Sequence, residues 1–133
     1  MAEVNQQHAE LIKQLRGIRR IVINIQYGGF GLSYKAKLLY LELAGIKYTL
    51  ESQTDRDTQI RLGNKVIVNG SEFTGRHIAR DDPALVNTVY QLGSDSSTEY
   101  ATLKVVEIPS DVEWQIEEYD GREWVAEKHR TWR

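Results

Sequence analysis

A chain of 133 residues, 41% hydrophobic and 27% charged, has the length and composition of one globular domain with a single core. Its formal charge of −2 offers no overall basic field for DNA or RNA, and the lack of cysteine excludes a disulfide scaffold, a thiolate zinc site and a cysteine nucleophile. No apolar run approaches the ~20 residues of a membrane helix, and Met1 to Glu10 lacks the apolar stretch of a signal peptide, so a cytoplasmic protein with no membrane partner is expected.

In chain order, residues 1–17 read as an N-terminal amphipathic helix, Val4 to Arg16, ended by Gly17. Its stripe of Val4, His8, Leu11, Ile12 and Leu15 needs a surface, either on its own domain or on another subunit. Residues 18–133 read as the ligand-binding core. Arg20 to Gln26 is dense in β-branched residues and apolar on both faces, as in a central strand. The turn Tyr27 to Gly31 follows. Ser33 then caps a helix from Tyr34 to Ala44, with Ala36, Leu39, Tyr40 and Leu43 on one stripe and Gly45 as its stop.

Ile46 to Leu50 alternates like a strand, and Glu51 to Arg61 reads as an exposed, mobile loop. Asn69-Gly70 joins Lys65–Val68 to Ser71–Phe73 in a type I′ hairpin. Arg80-Asp81-Asp82-Pro83 opens a helix whose buried stripe is Leu85, Val86, Val89 and Leu92, and Gly93 ends it. After a polar loop from Ser94 to Thr98, Ala101 to Ile108 is a strand stopped by Pro109. Asp120-Gly121 joins Val112–Tyr119 to Arg122–Arg130 in a second hairpin, with Val112, Trp114, Ile116 and Val125 on one face and Trp124 on the other. Two hairpins, about three helices and no repeated βαβ unit predict an α+β fold with a mixed, largely antiparallel sheet.

Three segments carry candidate ligand chemistry. In Tyr27-Gly28-Gly29-Phe30-Gly31-Leu32-Ser33 a strand enters a glycine-rich turn and then a helix N-terminus, where backbone and dipole favour phosphate and the two rings suit a base. It matches neither the dinucleotide fingerprint nor a P-loop, and local chemistry alone favours a tight strand-to-helix turn with its aromatics in the core. Arg80, Asp81 and Asp82 supply a fork for phosphate and carboxylates for a base edge, or a helix cap. Trp124, with Lys128, His129 and Arg130, pairs a ring with cations, or pairs charges across strands.

Enzyme chemistry has less support. His8, His77 and His129 share no metal-ligand spacing, no G-x-S-x-G elbow is present, and Glu117 and Glu118 point to opposite faces of a strand. No catalytic residue, metal ligand or cofactor is expected.

These segments, with Leu103 to Pro109, Val112 to Gly121 and Trp124 to Trp132, together resemble a family of small phage and prophage proteins. The resemblance runs from about Arg20 to Trp132 and leaves the N-terminal helix outside. It implies an anti-CBASS sponge, which binds cyclic nucleotide signals without cleaving them in the host bacterial cytoplasm. It further implies a homo-oligomer, dimer or tetramer, with pockets at or near subunit interfaces. On that resemblance Tyr27 and Phe30 stack on bases, Gly28, Gly29, Arg80, Lys128 or Arg130 hold phosphates, Asp81 or Asp82 reads a base or hydroxyl, and Glu51 to Arg61 closes over the ligand. Cyclic ADP-ribose-type signals are an alternative ligand. Hydrolysis of nucleotide signals and direct inhibition of a host protein are the alternative functions.

Overall fold

A computed structural model describes residues 17–128. The expected helix from Val4 to Arg16, and the candidate residues His129 and Arg130, lie outside the described residues. The elements run β1 (Ile18–Asn24), α1 (Tyr34–Ala44), β2 (Thr49–Glu51), α2 (Arg56–Leu62), β3 (Lys65–Val68), β4 (Ser71–Glu72), α3 (Pro83–Leu92), a 3-10 turn (Gly93–Ser96), β5 (Leu103–Pro109), β6 (Trp114–Tyr119) and β7 (Arg122–Glu127). The fold is α+β, and every strand pairing among the described residues is antiparallel.

The strands form three ladders: β1 with β5, β2-β3-β4, and β6 with β7. β1 and β5 pair over their full length, from Ile18 opposite Pro109 to Asn24 opposite Leu103. Ile21, Val22 and Ile23 are all buried, so β1 is covered on both faces as its composition predicts. Its regular pairing stops two residues before the expected end. There the Asn24 side chain turns back on its own chain, accepting from the Gln26 N–H at 3.2 Å and donating to the Gln26 carbonyl at 2.7 Å.

α1 begins and ends where the sequence places it. The Ser33 hydroxyl accepts from the Ala36 N–H, and Gly45 takes the left-handed conformation that closes the helix. Its inner face differs from the predicted stripe, because Ala36, Tyr40 and Leu41 are buried while Leu43 is exposed. Tyr40 fixes this rotation: its ring stacks on Phe73 at 5.9 Å and its hydroxyl donates to Asp82 at 2.9 Å. α3 starts at Asp82, which accepts from the Ala84 N–H, with Pro83 in the first turn; Leu85, Val86, Thr88 and Val89 form its buried face. α1 and α3 pack together with Val22, Leu32, Val66, Ala101 and Leu103 in one core.

The segment expected as a loop from Glu51 to Arg61 contains α2 instead. Asp55 accepts from the Thr58 N–H at its start, Asp57 and Arg61 complement the helix dipole, and Gly63 ends it. α2 has no buried residue, which is why no apolar period announces it. Both predicted hairpins form. Asn69 and Gly70, and Asp120 and Gly121, each take positive φ at consecutive positions, as the type I′ turn requires. In the second hairpin Ile116 opposes Val125, and Trp124 lies on the other face, where its indole N–H donates to Glu117 at 3.1 Å.

Candidate functional site

The sequence-derived candidates divide between two places. The first is a polar knot where the hairpin β6-β7 meets the end of β1. Asn24 is fully buried with all its hydrogen-bonding capacity engaged. Besides its bonds to Gln26, the side chain donates to the Gly121 carbonyl at 2.8 Å and accepts from the Thr102 N–H at 2.9 Å. Its backbone N–H donates to Glu123 at 2.8 Å. Glu123 also receives both terminal nitrogens of Arg80, at 2.6 and 2.9 Å, and the Arg80 guanidinium lies 3.7 Å over the Phe30 ring while donating to the Val22 carbonyl. The bidentate partner of Arg80 is thus a protein carboxylate, and the pair is largely shielded from water.

The glycine turn faces this knot. The Gly28 N–H donates to the Asp120 carbonyl at 3.3 Å, and the nitrogens of Gly28 and Gly29 lie where a side chain at Gly121 would go. A side chain at Gly28 would meet the Tyr100 carbonyl at 2.6 Å. On the Gly28 side of the turn expected to hold a phosphate, the hairpin tip and the Tyr100 backbone thus stand close by, whereas a side chain at Gly29 would meet nothing within 4 Å. Tyr27 is 55% exposed. Asp82 serves as the α3 cap and receives the Tyr40 hydroxyl; Asp81 lies 3.8 Å from Arg19 at the surface. Trp124 is half exposed, and Lys128 sits at the opposite end of the hairpin, its N–H donated to the Glu113 carbonyl.

The second place is a cleft of about 640 Å³ that takes in the Phe30 to Ser33 segment. Phe30, Ser33, Tyr34 and Lys37 approach it along the start of α1; Gln53, Arg61, Leu62 and Asn64 from around α2; Glu72, Thr74 and Arg76 from β4 and the loop after it; and Ser97 to Tyr100 from the loop before β5. Three cations, Lys37, Arg61 and Arg76, and three rings, Phe30, Tyr34 and Tyr100, therefore border one space.

Local contacts hold this lining in place. The Gln53 N–H donates to Gln59, Gln59 donates to Asn64, and Asn64 donates to the Tyr34 hydroxyl at 3.3 Å. The Tyr34 ring stands beside Gly63, where an added side chain would come within 2.7 Å of it. Burial pushes the Lys37 amine below the ordinary lysine range; Glu72 opposes that shift and Arg76 adds to it. Arg61 and Glu99 are 3.8 Å apart, both well exposed.

Of the sequence-derived site residues Phe30 and Ser33 line the cleft, together with Gly31 and Leu32 of the same turn and with Gln53 and Arg61 of the segment expected to close over a ligand. Lys37 was not singled out by the sequence, although its place one helical turn beyond Ser33 is a local signal; Arg61, Arg76 and Tyr100 arrive from segments that no local pattern links. A second, shallower groove of about 420 Å³ runs between β1 and α3, lined by Ile18, Arg20, Asp81, Pro83, Val86, Asn87 and Tyr90. Among the described residues no group of three His, Asp or Glu side chains is placed to hold a metal ion, and no helix is long and apolar enough to cross a membrane. Comparison of the chain with protein-family models, with curated proteins and with solved structures finds no match.

Proposed function

We propose that this protein is a non-catalytic nucleotide binder, a phage sponge that sequesters a cyclic nucleotide signal in the cleft between α1, α2 and the loop before β5. The observation that carries the reading is the convergence of Lys37, Arg61 and Arg76 with Phe30, Tyr34 and Tyr100 around one space of about 640 Å³. Ligand sites span roughly 300–1,000 Å³ and combine apolar walls with a few placed polar groups. A nucleotide asks for both components. Its phosphates need cations, and its bases need π faces, each stack contributing about 1–3 kcal/mol. Gln53, Asn64 and Thr98 offer amide and hydroxyl groups for base edges or ribose. Sequestration without turnover, a homo-oligomeric state and action in the bacterial cytoplasm belong to the same proposal and rest on the resemblance of the sequence motifs.

The test is a binding and recovery assay with cyclic di- and trinucleotides and cyclic ADP-ribose isomers. The expected result is thermal stabilisation by at least one of them, with the ligand recovered intact after denaturation. Lys37→Met and Arg76→Ala should each weaken that ligand about tenfold, the loss of one charge-assisted hydrogen bond. Recovery of a changed product would make the protein an enzyme. Absence of binding across the panel would overturn the nucleotide reading.

A further inference from the structure

We infer that Glu99 acts as an internal competitor of the ligand, holding Arg61 across the mouth of the cleft until an anion displaces it. The inference rests on the reading of the cleft as a phosphate site. Arg61 stands in the last turn of α2, and Glu99 in the loop that leads to β5; both line the cleft, from different parts of the chain. Their charged atoms are 3.8 Å apart and each side chain is 59% exposed. A pair this open is screened by water and contributes little to holding the fold. It does, however, put a negative charge beside Arg61, which a phosphate approaching that guanidinium from the cleft has to displace.

The setting of α2 fits such an exchange. The helix has no buried residue, and Ile60 and Leu62 are 72% and 50% exposed, so it is not locked in place by a core. Its last turn keeps Arg61 favourably placed on the helix dipole whether or not Glu99 is near. Lys37 and Arg76 stand in a different relation to charge, since Glu72 is the carboxylate that acts on Lys37. Among the described residues, Arg61 is the cleft cation whose charged nitrogen comes within 4 Å of a carboxylate, and it is within reach of exchange. A phosphodiester carries one charge and two free oxygens, as a carboxylate does, so it competes with Glu99 for the guanidinium on even terms, and Lys37 and Arg76 in the same lining tilt the exchange toward the ligand. When the cleft empties, Glu99 returns and the site does not gather weaker anions.

The test uses the full chain and inorganic pyrophosphate as a base-free probe, followed by calorimetry. Glu99→Gln should tighten pyrophosphate about fivefold, and its melting temperature should match the wild type's. Arg61→Ala should weaken binding. Adding Glu99→Gln to Arg61→Ala should then change nothing further, because the competition runs through Arg61. Wild-type binding with no gain in Glu99→Gln would overturn the inference and leave the phosphate reading standing. An equal gain from Glu99→Gln in the Arg61→Ala background would also overturn it, showing general repulsion instead of competition. Failure of both wild type and Glu99→Gln to bind pyrophosphate would overturn the phosphate reading and the inference together.

Discussion

Arg80 and Glu123 show how one side chain's partners decide its role. A guanidinium at a helix start reads from sequence as a phosphate fork, and its geometry is indeed bidentate. What the sequence hid is that Glu123, 43 residues away, supplies the two oxygens and also accepts from the Asn24 N–H. Removing one member of a shielded pair strands the other's charge. Arg80→Ala should therefore cost about 3 kcal/mol of stability, read as a lower urea midpoint. A selective loss of nucleotide binding at unchanged stability would instead return Arg80 to the ligand site. Tyr40 gives a pH prediction at the same scale. Burial first, and then the Asp82 carboxylate that its hydroxyl donates to, push its pKa up to about 12. The unfolded chain's phenol loses its proton near pH 10, so the folded state holds that proton more tightly. The stability this contributes is fully present below pH 10 and is lost as pH rises through 12. In urea midpoints followed across that window, Tyr40→Phe should lose less stability than the wild type; equal slopes would remove Tyr40 from the alkaline transition.

Among the elements, the hairpin β6-β7 was predicted with its turn, and what it docks on was not. Alternation and Asp120-Gly121 are local signals, whereas the contact of its tip with Gly28 and Gly29 joins segments some ninety residues apart. At Gly121 two constraints coincide, a φ of 87° and the glycine turn standing where a side chain would go. Gly121→Ala should cost at least ~1–2 kcal/mol from the left-handed conformation alone, and should also lift the tip away from the turn. Trp114 and Trp124 both lie in this hairpin, so a change in tryptophan emission with faster amide exchange in β6 and β7 is the expected signature. An unaltered hairpin would mean that the turn yields more easily than its packing implies. α2 is the converse case. Its cap, its charges and Gly63 were all written in the sequence, but with no buried face it lacked the apolar period by which helices are usually recognised.

For the molecule as a whole, the difference between the two site readings becomes a question of which parts of the chain a ligand touches. Sequence motifs mark continuous segments, here the glycine turn, Arg80 to Asp82 and the end of the hairpin. The structure brings together side chains from Phe30 to Tyr100, at spacings that no sequence pattern encodes. A net charge of −2 likewise conceals three cations around one cleft. A ligand at about 100 times its Kd should stabilise the fold by about 2.7 kcal/mol wherever it binds, so melting alone does not locate it. Amide exchange does. Occupation of the cleft should slow exchange in α2, in the first turn of α1 and in residues 97–100, all of which contribute lining. It should leave β6 and β7 unchanged, because the hairpin contributes no residue to the cleft. Protection confined to the hairpin and to residues 27–29 would place the ligand at the glycine turn after all, with the tip of the hairpin displaced to admit it. The polar knot of Asn24, Arg80 and Glu123 would then have to open on binding, and Arg80→Ala would affect affinity as well as stability.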